Sequence, residues 1–196
     1  VRPRFHLAEL DHQAARGALA DDEASHLIRV LRLGVGAEVE AFDGRGGMYR
    51  ASVASLTRDA VSLTILEAVA PAPEPEVRVT VVISVLKGDK MDTVVRDVTM
   101  MGAAVVQPIV STRTETSLAT LAKAHRAERW RRIAVSAVKQ CGRAVVPDIP
   151  PPANLADWLG RAASGATLAL VDPSAGGGRG LPELPRRAAP NLLVGP

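Results

Sequence analysis

The sequence is poor in cysteine, in aromatic residues and in long apolar runs, and each shortage excludes a class of protein. A single cysteine, Cys141, allows no internal disulfide and argues against a structural zinc site. Aromatic residues make up 3% of the 196 residues, too few for stacking platforms that bind single-stranded nucleic acid. No apolar run approaches the roughly 18 residues of a membrane span, and no secretory signal opens the chain. We therefore expect a cytoplasmic protein without a metal or a membrane partner.

The positive charge of the chain is concentrated in one segment. Residues 1–70 hold 8 basic and 10 acidic side chains, whereas residues 113–143 hold 8 basic and only 2 acidic ones. Clustered positive charge is typical of a surface that binds nucleic acid, and a solvated basic helix face is the alternative. Composition alone leaves both interpretations open.

A proline-rich stretch at 70–76, APAPEPE, predicts a stiff linker that divides the chain into two domains. In residues 1–69, short runs bounded by turn residues predict strands, and the acidic run that begins at Asp21 predicts the start of one helix. The predicted strands are 4–7, 38–42, 48–56 and 60–66, and the predicted buried stripe of the helix is Ala24, Leu27, Ile28 and Leu31. We infer a small β-barrel with one helix.

Residues 77–196 alternate predicted strands with predicted helices, which indicates an α/β fold with a parallel sheet. The β-branched run at 77–86 is typical of a strand buried on both faces. It is followed by a helix that begins after Asp89 and whose predicted buried stripe ends at Met101. The other predicted elements are strands at 105–110, 167–171 and 191–194 and helices at 127–141 and 154–162.

Basic side chains line one face of each of two predicted helices. Arginine suits phosphates and base edges because its planar fork donates two parallel hydrogen bonds. An ordinary solvated face is the alternative for both helices. The residues concerned are His26, Arg29 and Arg32 on the first helix, and Arg129, Arg132, Gln140 and Arg143 on or just beyond the second.

Several motifs occur in a fixed order along the chain. They are HLIRVLRLGVG, FDGRGG, VLKGDKMD, QPIVSTRTE, RWRRIAVSAVKQCGR and the terminal LLVGP. This ordered set resembles the RsmE family of ribosomal RNA methyltransferases, which methylate N3 of a uridine in the 16S RNA of the small ribosomal subunit. The resemblance implies a PUA-like N-terminal barrel (1–69) and a SPOUT-type α/β domain (77–196) with a trefoil knot. It also implies a homodimer that uses S-adenosyl-L-methionine, and it puts the knot-forming segment beyond Pro196.

The resemblance also assigns roles to residues by motif match. It implies that Arg113, Gln140 and Arg143 lie near the target base. It implies that loops after the last two strands contact the cofactor, through Val171, Asp172, Pro173, Leu193, Val194, Gly195 and Pro196. Ligands of open α/β sheets bind at the carboxyl ends of the strands, which agrees with this assignment. RNA is expected to bind Arg2, Arg4, His26, Arg29, Arg32, Arg129 and Arg132.

Two departures from the family pattern keep other functions open. Met100 and Ser136 stand where the family usually has glutamate, so two carboxylates beside a basic cluster are missing. A non-catalytic RNA-binding relative is one alternative, and a SPOUT methyltransferase that acts on transfer RNA is another. If the family's glutamates at these two positions form only surface ion pairs, their replacement lowers stability only slightly.

Overall fold

Residues 2–58, 60–161, 167–170 and 191–194 are described by the computed structural model. Their contacts divide the chain into two units, residues 1–73 with 138–146 and residues 74–137 with 147–196. Within the described residues, every helix is too short or too polar to cross a membrane.

The first unit is a closed five-stranded barrel. Its strands follow the order β1-β2-β5-β4-β3, and the closing pair, β1 with β3, is parallel whereas the other pairs are antiparallel. The strands are β1 (Arg4–Asp11), β2 (Arg16–Leu19), β3 (Glu38–Phe42), β4 (Met48–Leu56) and β5 (Val61–Ala68). Between β2 and β3, helix α1 (Asp21–Ser25) continues as a π-helical turn over His26–Val30.

Alternating side chains fill the barrel. Phe5 and Leu7 of β1 point inward with Leu27 of the π-helical turn, and all three are at most 3% exposed. Because successive strand residues face opposite sides, this alternation gives a barrel with one apolar interior. The strands predicted at 38–42 and 48–56 are confirmed to the residue. Leu31 was predicted to be buried but is 38% exposed, since the helical turn ends at Val30.

Residues 138–146 belong by their contacts to the barrel unit, although the predicted linker at 70–76 assigns them to the second domain. The backbone N–H of Val146 donates to the carbonyl oxygen of Gly44 at 2.9 Å, and that of Gly46 donates to Ala144 at 3.1 Å. The segment therefore pairs with the 43–47 turn between β3 and β4. Nothing in its local sequence pattern indicates this long-range pairing.

The second unit is a five-stranded parallel sheet with the order β8-β7-β6-β10-β9. The strands are β6 (Thr80–Ser84), β7 (Val105–Val110), β8 (Ala153–Asn154), β9 (Thr167–Leu170) and β10 (Asn191–Val194). The helices are α2 (Lys90–Met100), α3 (Leu118–Lys123), α4 (Arg126–Cys141) and α5 (Leu155–Arg161). The parallel sheet that the strand and helix alternation predicted is confirmed, and β7 and β10 have their predicted bounds.

Helices α2 and α4 bury much of the apolar stripes that their periodicity predicts, and Met101 is exposed. Trp130, Ala134 and Ala137 of α4 are each at most 1% exposed. Met101 was predicted to complete the buried stripe of α2, but it is 83% exposed. The helix ends at Met100, and Gly102, with a φ of +97°, turns the chain away.

Gly44 provides a test of how tightly the barrel packs against residues 138–146. Its φ is +72°, and a Cβ there would lie 2.9 Å from His6 Nε2 and 3.3 Å from Val146 Cγ2. Gly36, with a φ of +85°, has no atom within 4 Å of an added Cβ. We expect Gly36→Ala to lower the free energy of unfolding by about 1 kcal/mol through backbone strain alone. Gly44→Ala should cost about 1–3 kcal/mol more, because the methyl group also overpacks the site.

Urea unfolding of both variants, followed by circular dichroism, measures this difference. Equal losses in the two variants would contradict the close packing around Gly44.

Candidate functional site

A cleft of about 410 Å³ opens where β6 and β7 end. The residues that follow β6 form one wall, and the loop after β7 forms another. Leu121 of α3, Ala124 directly after that helix, and Arg126 and Trp130 of α4 close the cleft. Because parallel strands end at a common edge, this position is the usual ligand-binding edge of an open α/β sheet.

The mouth of the cleft carries more positive than negative side chains. Lys87, Arg113 and Arg126 line it together with Glu115. Lys87 Nζ lies 2.9 Å from Glu115 Oε2, and this hydrogen bond, with the charge of Glu115, raises the pKa of Lys87 above its ordinary value. Lys87 therefore remains protonated at neutral pH. The cleft favours an anionic ligand or one that gains negative charge.

Arg113 projects from a short turn whose backbone is held by hydroxyl groups. Its own N–H donates to Ser111 Oγ at 3.4 Å, and the N–H of Ser111 donates to Thr114 Oγ1 at 3.0 Å. Arg113, which the motif match predicts as a site residue, lines the cleft. The sequence predictions do not include Lys87 or Arg126, although Lys87 lies in the KGDKMD motif directly after a predicted strand.

Deeper in the cleft, the lining combines apolar side chains with polar atoms. Ser84 Oγ is buried and has no hydrogen-bond partner among the described residues. Trp130 forms part of the wall, and its Nε1–H donates to Asp92 Oδ1 at 3.2 Å. A ligand group near Ser84 could supply the hydrogen bond that this hydroxyl lacks.

Arg129, which was expected to bind RNA, is paired within its own unit. Its Nε donates to Asp92 Oδ2 at 2.9 Å, and its Nη2 lies 3.5 Å from Asp89 Oδ1. Hydrogen bonding to Asp92 raises the pKa of Arg129 above its ordinary value. The pair joins α4 to α2, so much of the charge of Arg129 is neutralised. Arg132 is exposed and pairs with none of the described residues.

Gln140 and Arg143, expected near the base, both lie in the 138–146 segment of the barrel unit. Gln140 is exposed on the last turn of α4, whereas Arg143 is only 5% exposed. Arg113 belongs to the second unit. Gln140 and Arg143 thus lie on one short segment of the first unit, whereas Arg113 lines the cleft of the second unit.

The predicted RNA-binding residues of the barrel differ in their surroundings. His26 and Arg29 are exposed on the π-helical turn. Arg32 is also exposed, but it lies beyond the end of the helix with a φ of +52°. The prediction that His26, Arg29 and Arg32 share one helix face is therefore wrong for Arg32. Arg2 is half-exposed and pairs with Glu38 at 2.9 Å.

Arg4 is the one predicted RNA-binding residue that points into the protein. Its side chain is 11% exposed, and its guanidinium donates to the carbonyl oxygens of Val138, Lys139 and Arg143. These contacts occupy the face of the guanidinium that would otherwise grip a phosphate. We therefore do not propose Arg4 as an RNA contact, because its guanidinium already binds carbonyl oxygens inside the protein.

Two of the predicted cofactor contacts, Leu193 and Val194, lie in β10. Val171, Asp172, Pro173, Gly195 and Pro196 lie outside the described residues, as does any knot. Val194 is the last residue of β10, which runs between β6 and β9. Leu193 packs against the buried cluster of Val82, Ile109 and Trp158. The described residues contain no group of three or more histidine, cysteine or acidic side chains that could hold a metal ion.

Comparison with known proteins gives the same family that the ordered motifs suggest. Residues 73–196 match a family model described as an RNA methyltransferase domain, and residues 19–66 match one described as an RNA methyltransferase PUA domain. A Synechocystis protein named ribosomal RNA small subunit methyltransferase E is 31% identical over 153 residues, which are 78% of this chain and 48% of that protein. Its Bacillus subtilis namesake is 25% identical over 70% of this chain and 54% of its own length.

A solved structure agrees with this. The ribosomal RNA small subunit methyltransferase E of Neisseria gonorrhoeae, bound to S-adenosyl methionine, is 26% identical with a TM-score of 0.85. The match covers 100% of this chain and 80% of that one. The chain spans about half the length of the curated relatives it matches. The predicted fold class, a PUA-like barrel followed by a SPOUT-type α/β unit, is confirmed. The chain belongs to the RNA methyltransferase family, and its resemblance to RsmE is confirmed.

Proposed function

We propose that this chain belongs to an enzyme that methylates N3 of a uridine in 16S ribosomal RNA, with S-adenosyl-L-methionine as the methyl donor. The observation that carries the proposal is the basic cleft where β6 and β7 end, in a chain that matches an RNA methyltransferase family. The names of the Synechocystis and Neisseria relatives support the substrate class and the donor.

The sheet edge fits the methyl donor. Strand β10 pairs with β6 on one side and β9 on the other, and all three are parallel, so Val194 and Leu170 end near Ser84 along that edge. The unsatisfied hydroxyl of Ser84 adds a polar group there. The residues that would hold the donor are the predicted ones, Val171, Asp172 and Pro173 with Leu193, Val194, Gly195 and Pro196. When bound, the donor would supply the methyl group to N3 and leave as S-adenosyl-L-homocysteine, while the N3 proton passes to water.

The chain's own task is to stabilise the uracil base as that proton leaves. Negative charge then spreads from N3 onto the carbonyl oxygens O2 and O4. Arg113 is proposed to donate hydrogen bonds to one of these oxygens, since a preorganised donor lowers the energy of developing charge. Protonated Lys87 adds positive potential to the same cleft. Gln140 and Arg143 of the first unit are proposed, by motif match, to form hydrogen bonds with the edge of the target base.

The barrel is proposed to bind the RNA backbone through Arg2, His26, Arg29 and Arg32, with Arg132 of α4 adding to this. These side chains are exposed, as phosphate contacts require. Arg129 is proposed to contribute less to RNA binding, because its guanidinium already donates to Asp92. We further infer a cytoplasmic homodimer that acts on the small ribosomal subunit.

The two missing glutamates do not favour the non-catalytic alternative. Met100 is 45% exposed on α2, and Ser136 is exposed on α4. A glutamate at either position would lie at the surface of this unit, where ion pairs contribute about 0–1 kcal/mol. Neither Met100 nor Ser136 lines the cleft.

Arg113 provides the test of the catalytic proposal. We expect Arg113→Met to lower kcat/KM for methyl transfer by about 100- to 1,000-fold, since one donor to the developing negative charge is lost. The control is Arg96→Met, which removes the same charge from the exposed face of α2, where Asp97 is the one partner of Arg96 among the described residues.

The assay follows labelled methyl groups from S-adenosyl-L-methionine into small ribosomal subunits that lack the mark, and mass spectrometry then locates the modified nucleotide. No incorporation by the intact wild-type protein would refute the proposal. Methylated transfer RNA in place of ribosomal RNA would support the other SPOUT branch.

The exposed arginines of the barrel give a separate prediction. We expect the double variant Arg29→Met/Arg32→Met to weaken binding to a 16S RNA fragment about tenfold and to lower the salt dependence of log K by about 1–2. The matched control is Arg16→Met/Arg58→Met, which removes two exposed arginines from other parts of the barrel. An equal loss of RNA affinity in both double variants would show that net charge, and not the position of Arg29 and Arg32, determines binding. It would contradict the prediction.

A further inference from the structure

We propose that Arg4 and Glu23 of the barrel are positioning residues, which hold the 138–146 segment so that Gln140 and Arg143 are correctly placed for methyl transfer. This inference rests on the proposed function for the roles of Gln140 and Arg143. All the contacts that carry it lie within the first unit. The barrel then has a part in the chemical step in addition to binding RNA.

Arg4 caps the end of helix α4 from a different element of the chain. The last turn of a helix leaves carbonyl oxygens without intrahelical donors. Arg4 Nη1 donates to Val138 O and to Lys139 O, each at 3.1 Å, and its Nη2 donates to Arg143 O at 2.7 Å. One guanidinium therefore spans the point at which the helix ends, where Gly142 has a φ of +85°. A cation at this end also complements the helix dipole.

The Arg4 side chain is itself held in place. Its Nε lies 3.6 Å from Glu40 Oε2, and its guanidinium carbon lies 5.3 Å from the centre of the Phe42 ring. Its Nη2 is also 3.7 Å from Met48 Sδ. A rigid donor loses little entropy when it fixes its acceptors, so the barrel wall preorganises the cap.

Glu23 provides the second anchor through an ion pair with little exposure to solvent. Lys139 Nζ donates to both of its carboxylate oxygens, at 2.8 and 2.9 Å, and Glu23 is 8% exposed. The carboxylate also accepts from the backbone N–H of His6 at 3.2 Å. Lys139 Nζ lies 5.2 Å from the centre of the Phe5 ring. The residue next to Gln140 is therefore fixed by charge, by hydrogen bonds and by an aromatic face.

The charges around this anchor favour the Lys139 pair. Burial lowers the pKa of the His6 imidazole below its ordinary value, and Lys139 adds to this, although Glu23, Asp22 and Asp43 oppose it. His6 is then neutral at neutral pH. Because His6 is uncharged, Lys139 is the cation that pairs with Glu23.

Backbone pairing fixes the far end of the same segment. Val146 and Ala144 exchange hydrogen bonds with Gly44 and Gly46 of the turn between β3 and β4. Gln140 therefore lies between anchors on both sides. A misplacement of about 1 Å at a catalytic group can cost about 100-fold in rate, so anchors of this kind affect kcat.

The test compares Arg4→Met, Arg4→Lys and Glu23→Gln with two control variants. The controls are Arg50→Met and Glu67→Gln, which break a half-exposed ion pair of 3.2 Å between β4 and β5 without touching the segment. Methyl transfer is measured with the intact protein at a temperature at which circular dichroism shows each variant to be folded.

We expect Arg4→Met to lower kcat about 10- to 100-fold while KM for small ribosomal subunits stays within about twofold. Glu23→Gln should lower kcat in the same way, and Arg4→Lys should recover part of the loss because it keeps the charge but not the fork. Arg50→Met and Glu67→Gln should keep the wild-type kcat. If Arg4→Met does not fold, Arg4→Lys and Glu23→Gln provide the same comparison.

Hydrogen exchange supplies a readout that does not depend on activity. We expect amides in 138–146 to exchange about ten times faster in Glu23→Gln and Arg4→Lys than in the controls, while β4 and β5 keep their protection. A wild-type kcat in the folded Arg4 and Glu23 variants, or a loss confined to KM for RNA, would overturn the positioning role alone. An inactive wild-type protein would overturn the proposed function and this inference with it.

Discussion

The parallel direction of the central strands is the constraint on which the second unit depends. Strand β6 pairs in parallel with β7 over Thr80–Ser84 and with β10 on its other side, so these strands all end at one edge. Segments far apart in the sequence, near 87, 113, 170 and 194, therefore meet at that edge. The core residues Val82 and Ile109 are at most 1% exposed, which fixes the strands to one another. A ligand-binding or catalytic site of this unit is therefore expected at the carboxyl ends of these strands.

Several basic side chains form ion pairs or hydrogen bonds within the protein and are therefore less available to RNA. Arg129 pairs with Asp92, Lys139 pairs with Glu23, and the guanidinium of Arg4 is used up by carbonyl oxygens. What remains for a nucleic acid is a smaller set of exposed side chains, together with the mouth of the cleft. For this reason, charge density along the sequence overestimates how many basic side chains are available to an anionic ligand. A cation can hold either an internal partner or a phosphate with the same donors.

The sequence predicts the elements whose patterns are long and regular, and it fails where distant parts of the chain decide the outcome. The bounds of β3, β4, β7 and β10 follow from alternation or from β-branched runs. The four-residue strand β2 and the six-residue helix α3 are too short for periodicity to indicate them. The contact of 138–146 with the barrel is decided by Arg4 and Glu23, more than 100 residues away, and no local pattern reveals it.

In the candidate site, too, the sequence predicts some residues correctly and misses others. Arg113 was found because its motif resembles a family motif, and it lines the cleft. Arg4 was assigned to RNA because an exposed and a buried arginine look alike in sequence. Lys87 was missed, although a lysine directly after a buried strand is a signal for a ligand edge.

Hydrogen exchange with and without saturating S-adenosyl-L-methionine tests whether the methyl donor binds at the sheet edge. We expect slower exchange at 84–88 and 113–116 and at the ends of β9 and β10, with the barrel strands β1 to β5 unchanged. Protection confined to the barrel, or exchange unaltered along the whole sheet edge, would contradict it.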